Sequence, residues 1–438
     1  MGDDVDIRSG GAIAVDTETL RLVAARLDGI GCRLDEAAAQ LSRAENLVFS
    51  TLSRAPLAFH MTAGMMSGMS GKLTDDAVIC RGQVAATREM ADVYELVDLR
   101  SRQEMLAIDD ARASMRLQER IEALTAANPQ LVKLADQVVA DWEGRRFDGL
   151  SSQSWDLVLS SVLMGISIGG LANKAVTDLA DRHAGIVPQG TALSGPKPPV
   201  VVAEVARSTP SGPPKSTVQT LKRLPTGSDA QVRVETYTFA DGTRHHKVYI
   251  AGTQSLWAGS VEPWDMGSNW DGYARRNFAS FEATRQALEM AGVRPDEPLD
   301  VVGYSQGGIV ATYLAVGDEY NVGEITLIGS PTVPGLRDDQ TLMQLAHTAD
   351  PVAALAGGGW AGTTGSSDSI IVTREGDKGD LINFDSPLDP HMMEQYLTTA
   401  GQLDASSDPR AAAIQQRRAQ LSEAVSVTST DYKAKRPF

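Results

Sequence analysis

The sequence predicts two folds in one chain: an elongated all-α helical domain over residues 13–187, then an α/β domain built on a parallel sheet over residues 200–405. Three observations carry that reading. Up to about His183, apolar residues recur at three- and four-residue steps in an Ala-, Leu- and Arg-rich stretch with almost no aromatics before Trp142. Near Val187 the composition shifts, and Pro188 to Pro199 and Ser208 to Pro214 are rich in Pro, Gly and Ser. From Val248 onward short strands alternate with helical segments, the pattern of a parallel sheet covered on both faces.

Composition narrows the function before any motif is read. At 438 residues the chain exceeds one usual domain, and 42% hydrophobic with 22% charged residues suffices for a core. A net charge of −16 argues against nucleic acid or an anionic membrane surface as the main partner. Met1 to Asp6 is acidic and lacks both the apolar run of a secretory leader and the Ser or Thr of a myristoylation signal. Cys32 and Cys80 alone form neither a disulfide framework nor a zinc set. Two buried thiols are expected, with a bridge between antiparallel helices as the alternative. The uncharged run Leu157–Asn173 is short and interrupted by glycine and serine, which favours a buried helix over a membrane-inserting hairpin.

In order, residues 1–12 are polar and expected to be a disordered start. A helix begins near Asp16 or Thr17, either able to cap it, and carries Leu20, Leu27, Ile30, Leu34 and Leu41. Phe49 to Gly71 breaks the pattern with Met61, Met65, Met66 and Met69, an adaptable surface or gap-filling core. Periodicity resumes near Leu73 and passes Leu106, so an antiparallel hairpin of two helices is expected. Further helical blocks run over Ala111–Asp141, broken at Asn128-Pro129, and over Gln153–His183. His60 and His183 stand isolated and read as structural or solvated.

Residues 188–199 read as a linker, Val200–Val205 as a first strand and Val218–Leu224 as a short helix. Gln231–Phe239 and Arg244–Ile250 flank Asp241-Gly242, the signature of a β-hairpin. His245 and His246 lie on its second strand without a ligand-spaced partner. The strand Val248–Ala251 leads to Gly252-Thr253-Gln254 and a loop bearing Trp257, Trp264 and Trp270. A helix over Ser268–Met290 follows, then strands at 299–302, 324–328, 342–347 and 369–373 and a helix over His391–Ala400. Residues 406–438 hold an amphipathic helix from Arg410 to about Val425 and a loose basic end.

The chemistry centres on Val301-Val302-Gly303-Tyr304-Ser305-Gln306-Gly307-Gly308, which lies between an apolar strand and an apolar helix. Strand, Gly-x-Ser-x-Gly and helix form a nucleophile elbow, which presents its serine on a strained turn. The amide of Gln306 then opens a helix and can donate to a developing oxyanion. A serine nucleophile needs a base and a group that orients the base. His391 is the only histidine after the last predicted strand and is the candidate base. Asp350, in Asp-Pro-Val at a strand's carboxyl end, is the candidate acid, a helix or turn cap being its other reading. Asp377, Asp380, Asp385 and Asp389 are rivals that read as turn residues. His347 falls inside a strand, and Tyr304 is expected to pack rather than react. Thr253 and Gln254 are candidates for the second oxyanion donor, with Gly252 letting that backbone approach.

Gly303-Tyr304-Ser305-Gln306-Gly307-Gly308 resembles the elbow of cutinases and related actinobacterial serine esterases, although the cysteines that bracket the acid in cutinases are absent. Gly252-Thr253 after a strand, with His347-x-x-Asp350-Pro351-Val352 later, resembles fungal-type triacylglycerol lipases. The resemblance to this α/β-hydrolase superfamily covers roughly residues 198–405. It implies a cofactor-free, metal-free serine esterase or lipase with Ser305, Asp350 and His391 as its triad. More weakly, the helical half resembles the hairpin modules of type VII secretion substrates. Tyr94-Glu95-Leu96-Val97-Asp98 fits their Tyr-x-x-x-Asp signal, while Trp142-Glu143-Gly144 comes too late to serve as their Trp-x-Gly turn. That likeness implies secretion machinery as a partner and export without a cleavable leader. The expected function is hydrolysis of lipid or acyl esters. The alternatives are an inert interaction or secretion protein with a hydrolase-like domain, or an antibacterial lipase toxin.

Overall fold

The computed structural model describes residues 5–10, 15–51, 57–105, 111–146, 185–226, 229–376 and 388–437. The chain has a mixed α/β fold with an N-terminal helical region and a large central sheet. It divides into two compact units, one of residues 15–97 and 122–136, the other of residues 1–14, 98–121 and 137–438. Leu157–Asn173, the helix expected over Gln153–His183, His183, and the rivals Asp377, Asp380 and Asp385 fall outside the described residues.

In the helical unit, α1 (Thr17–Thr51) and most of α2 (Leu57–Met105) form the expected hairpin. Asp16 caps α1 by accepting the Thr19 amide at 3.0 Å. Arg21 meets Asp92, Asp28 meets Arg88, Asp35 meets Arg81 and Ser42 meets Ser70, so one helix climbs as the other descends. Ala24, Ala38, Ala77 and Ala91 are all buried; small side chains let the two backbones close. The methionine stretch corrects the sequence reading: α2 starts at Leu57 and runs through it. Packing supplies the reason, since buried Ser70 donates to the Ala38 carbonyl at 3.0 Å and holds this glycine-bearing turn as helix. Met61, Met65 and Met69 are exposed, so they do not fill a core gap, while Met66 is half-buried. The thiols also depart from expectation: alanines occupy the seam, leaving Cys32 exposed and Cys80 half-buried, both free. Asn128-Pro129 separates α3 (Ala111–Ala127) from α4 (Gln130–Arg145), as its sequence implies.

The second unit is organised by a nine-stranded sheet in the order β1-β10-β9-β7-β6-β5-β4-β11-β3. Five central strands are parallel: β5 (Arg244–Ile250), β6 (Pro298–Tyr304), β7 (Asn321–Ile328), β9 (Thr341–His347) and β10 (Ile370–Arg374). Their side chains alternate between two cores. Val248, Ile250, Val301, Ile325 and Leu327 pack on α7 (Ala279–Met290) and α8 (Gln306–Val316). Tyr249, Val302, Ile328, Met343 and Leu345 face α5 (Thr217–Leu221), α10 (Met393–Asp404) and α11 (Pro409–Leu421). The hairpin of β4 (Val232–Thr238) and β5 turns at Gly242, with φ of 84°.

Both predicted loose ends are strands. The start carries β1 (Asp6–Ser9), antiparallel to β10. The tail carries β11 (Ser426–Lys435), inserted between β4 and β3 (Val201–Ser208). Each becomes a strand by completing an edge whose backbone groups lack a partner. The stretch read as helical ends in a strand, β2 (Ile186–Val187), beside β8 (Val333–Pro334), and the expected linker after it is fastened through the Gly190 amide to the Val316 carbonyl. The helix expected over Ser268–Met290 is two, α6 (Met266–Tyr273) and α7, separated where Arg275 takes φ of 58°. His391 precedes its helix rather than starting it, in a one-turn 3-10 segment Asp389–His391. No described helix is long and apolar enough to cross a membrane.

Candidate functional site

Ser305 stands between β6 and α8 with φ 53° and ψ −118°, a left-handed conformation that a serine adopts only under constraint. The constraint is visible. The Ser305 amide donates to the Ile328 carbonyl at 2.9 Å, and its carbonyl accepts the Gly308 amide at 2.8 Å. The flanking glycines admit close backbones: a Cβ on Gly303 would lie 2.2 Å from the Gly307 oxygen, and one on Gly307 would lie 2.3 Å from the Ile250 oxygen.

The structure brings Ser305, His391 and Asp350 together. Ser305 Oγ lies 2.9 Å from His391 Nε2, and His391 Nδ1 lies 2.7 Å from Asp350 Oδ2. With Nδ1 protonated and donating to the carboxylate, Nε2 is free to accept the serine proton. Asp350 makes contacts that fit both of its sequence readings. Its Oδ1 accepts the Val352 amide at 2.8 Å and so caps the short helix α9 (Pro351–Ala354), while Oδ2 holds the histidine. Burial pushes the Asp350 carboxyl upward, but the His391 imidazole, the Tyr396 hydroxyl and the Val352 amide outweigh it and hold it below the usual carboxylate range. Among the rivals only Asp389 is described, and it lies in the turn that delivers His391.

Three supporting residues were not read as such from sequence. Tyr396, fully buried on α10, donates its hydroxyl to Asp350 Oδ2 at 2.6 Å. His347, expected to face the sheet's packing, does so: its ring stacks on Tyr396 with centroids 4.0 Å apart. It also grips the segment that carries His391, because Nδ1 donates to the Pro390 carbonyl at 2.6 Å and Nε2 accepts from Thr399 at 2.7 Å. Burial lowers its pKa to about 4, so it stays neutral. Tyr304 packs, stacked on the His391 ring, and its hydroxyl donates to the His391 carbonyl at 2.7 Å. The only sequence signal for these roles was proximity to Ser305, Asp350 and His391, which many side chains share.

On the other side, Gly252 brings the loop after β5 against the elbow: a Cβ there would sit 3.1 Å from Ser305 Cβ. Of the two donors predicted in this loop, Gln254 is excluded, since its amide donates to the Trp264 carbonyl at 2.8 Å. Thr253 remains, half-buried, its hydroxyl accepting from Asn269 at 2.9 Å. Gln306 opens α8, so its amide has no helical acceptor behind it, and its side chain is anchored to the Asp265 carbonyl and the Ser280 hydroxyl. The tryptophans divide. Trp264 is core, whereas Trp257 and Trp270 are exposed, as are Leu256 beside Trp257 and Leu388 and Met392 beside His391.

The remaining candidate groups fall away from this site. His246 bonds to Thr236 and Glu297, and His245 lies 3.1 Å from Asp300, carboxylate partners that linear spacing had hidden. No described His, Cys, Asp and Glu cluster could hold a metal ion. Asp98 of the Tyr-x-x-x-Asp segment accepts the Thr363 amide at 2.6 Å and pairs with Arg102. Comparison with known proteins gives no assignment: no family model, no curated protein and no solved structure matches the chain.

Proposed function

We propose that the chain is a serine hydrolase of the α/β-hydrolase type that cleaves carboxylic esters through an acyl-enzyme. The observation that carries this reading is the continuous hydrogen-bonded series from Ser305 through His391 to Asp350, headed by a serine in a strained left-handed turn. Ser305 Oγ attacks the acyl carbonyl as its proton passes to His391 Nε2, and Asp350 stabilises the imidazolium that forms. The amides of Gln306 and Thr253 receive the developing oxyanion. His391 then protonates the departing alkoxide, and a water, deprotonated by the same imidazole, releases the acid.

The substrate end of the reading rests on the exposed apolar side chains flanking both Thr253 and His391, which favour lipid or other acyl esters. Export by a type VII-like route rests on the helical hairpin and on Tyr94 and Asp98 alone. The test is covalent: a fluorophosphonate probe should label the full chain, and Ser305→Ala should abolish the label. Hydrolysis of p-nitrophenyl esters of increasing chain length then ranks the substrates. A chain that neither labels nor turns over any ester returns the protein to the inert interaction class.

A further inference from the structure

The loop that follows β5 is tied down from a distant part of the chain. Arg436, just past β11, donates from Nη1 to the Ser260 carbonyl at 2.7 Å, the Glu262 carbonyl at 2.8 Å and Asp265 Oδ2 at 2.8 Å. Its Nη2 reaches Asp265 Oδ1 at 3.0 Å and the Ser268 hydroxyl at 3.1 Å, and its amide donates to the Val261 carbonyl at 2.8 Å. Asp265 is fully buried and gathers the same loop from within, accepting the amides of Gly259 at 2.7 Å, Ser260 at 3.2 Å and Ser268 at 2.9 Å. A second tie runs alongside. Gln231 accepts the Ala434 amide at 2.9 Å while its Nε2 holds both oxygens of Glu262, whose Oε1 accepts the Trp264 amide at 3.0 Å.

These ties end on the oxyanion side of the candidate site. The Trp264 carbonyl fixes the Gln254 and Ser255 amides, so the chain just after Thr253 is held by a loop that comes back alongside it, in parallel, at Trp264-Asp265. The Asp265 carbonyl accepts from the Gln306 side chain at 3.3 Å. Asn269, on the helix that Asp265 caps, holds the Thr253 hydroxyl. Both proposed oxyanion donors therefore lean on Asp265, and Asp265 leans on Arg436.

We infer that Arg436 is a positioning residue: the guanidinium that follows the last strand latches the Gly252–Asp265 loop and thereby sets the spacing of the Thr253 and Gln306 amides. This rests on the proposed esterase reading. A bidentate fork fits the task, since it meets both oxygens of Asp265 and two carbonyls at once, which a lysine ammonium cannot do.

The test compares the full-length chain with Arg436→Ala, Arg436→Gln and Arg436→Lys on a short, soluble p-nitrophenyl ester, with active-site titration counting functional Ser305. Loss of one oxyanion donor costs about 100- to 1000-fold in kcat, so a loosened pair should cost about 10- to 100-fold per titrated serine. KM should stay within about threefold and the pH profile should not move, because the Ser305–His391–Asp350 series is untouched. Arg436→Lys should recover part of kcat. A residue that merely stabilised the fold would lower the titrated fraction and leave turnover per serine unchanged; that result overturns the inference. If Arg436→Ala does not fold, Arg436→Gln and Arg436→Lys carry the same comparison. A wild-type chain with neither burst nor turnover overturns the esterase reading first and the latch with it, whereas an active wild type with wild-type-like variants overturns the latch alone.

Discussion

Replacing Tyr396 by Phe isolates one hydroxyl. The ring keeps its stack on His347 and its burial, so the change takes away the 2.6 Å hydrogen bond to Asp350 Oδ2 and the longer one, 3.3 Å, that the hydroxyl accepts from the His347 amide. Asp350, itself fully buried, then retains His391 Nδ1 and the Val352 amide as donors. A hydrogen bond to a buried charge contributes about 1.5–3 kcal/mol, and Tyr396→Phe should lose about that much unfolding free energy at pH 7. The effect on turnover should be smaller. The bond exists before and during the reaction, so most of it stabilises ground state and transition state alike, and a kcat reduction of about 3- to 10-fold is expected. The pH dependence fixes the cause. Asp350 has a depressed folded pKa, so its contribution is present above its unfolded value and fades as pH falls through the folded one. Losing a donor shrinks that depression. The stability gap measured by urea unfolding should thus be widest near neutrality and close below about pH 4. A gap as large well below pH 4, with the carboxyl protonated in both proteins, as at pH 7 would mean lost packing instead of lost charge stabilisation and would refute the reasoning.

Three further outcomes follow from the same geometry. His347 has its pKa lowered to about 4 by burial, so the unfolded chain takes up a proton first as pH falls. Its neutral burial supports the fold fully above about pH 6.5, costs up to about 3 kcal/mol by about pH 4, and His347→Gln should flatten that part of the urea-unfolding pH curve. Ser305→Gly should be more stable than Ser305→Ala by about 1 kcal/mol in thermal denaturation, reversing the usual order, because only glycine adopts φ 53° without strain. Gly252→Ala places a methyl 2.9 Å from Tyr304 Cδ1 and 3.1 Å from Ser305 Cβ, and it should slow fluorophosphonate labelling by about 100-fold while circular dichroism stays unchanged.

What the sequence shows and hides here divides by how local the cause is. The elbow is legible because strand, Gly303, Ser305, Gly307 and helix are contiguous and each glycine answers a nearby backbone. Asp350 is legible in identity, yet its cap and its bond to His391 use separate oxygens, so the two readings were never exclusive. Tyr396 shows only helical spacing, and nothing in one dimension says that its hydroxyl meets a carboxylate. β1 and β11 are short or polar segments that become strands only because β10, β4 and β3 offer edges. The methionine and glycine stretch of α2 reads as a break, and packing on α1 overrides that local preference.

The sheet's directions explain why the proposed machinery gathers where it does. The five central strands run parallel, so β5, β6 and β9 release Thr253, Ser305 and Asp350 at one edge, and the segment after β10 returns His391 to it. β4 reverses against β5, and β11 reverses against β4, so β11 runs in the same direction as β5. In register, Tyr432 pairs with Val232 and Val232 with Ile250, which puts the residues after Tyr432 beside those after Ile250. Arg436 therefore reaches the Gly252–Asp265 loop through two antiparallel reversals, with no dedicated element to carry it. A strand inserted in the other direction would send its carboxyl end to the opposite edge. The polarity of β11, more than the identity of its side chains, is what makes a latch at this site available.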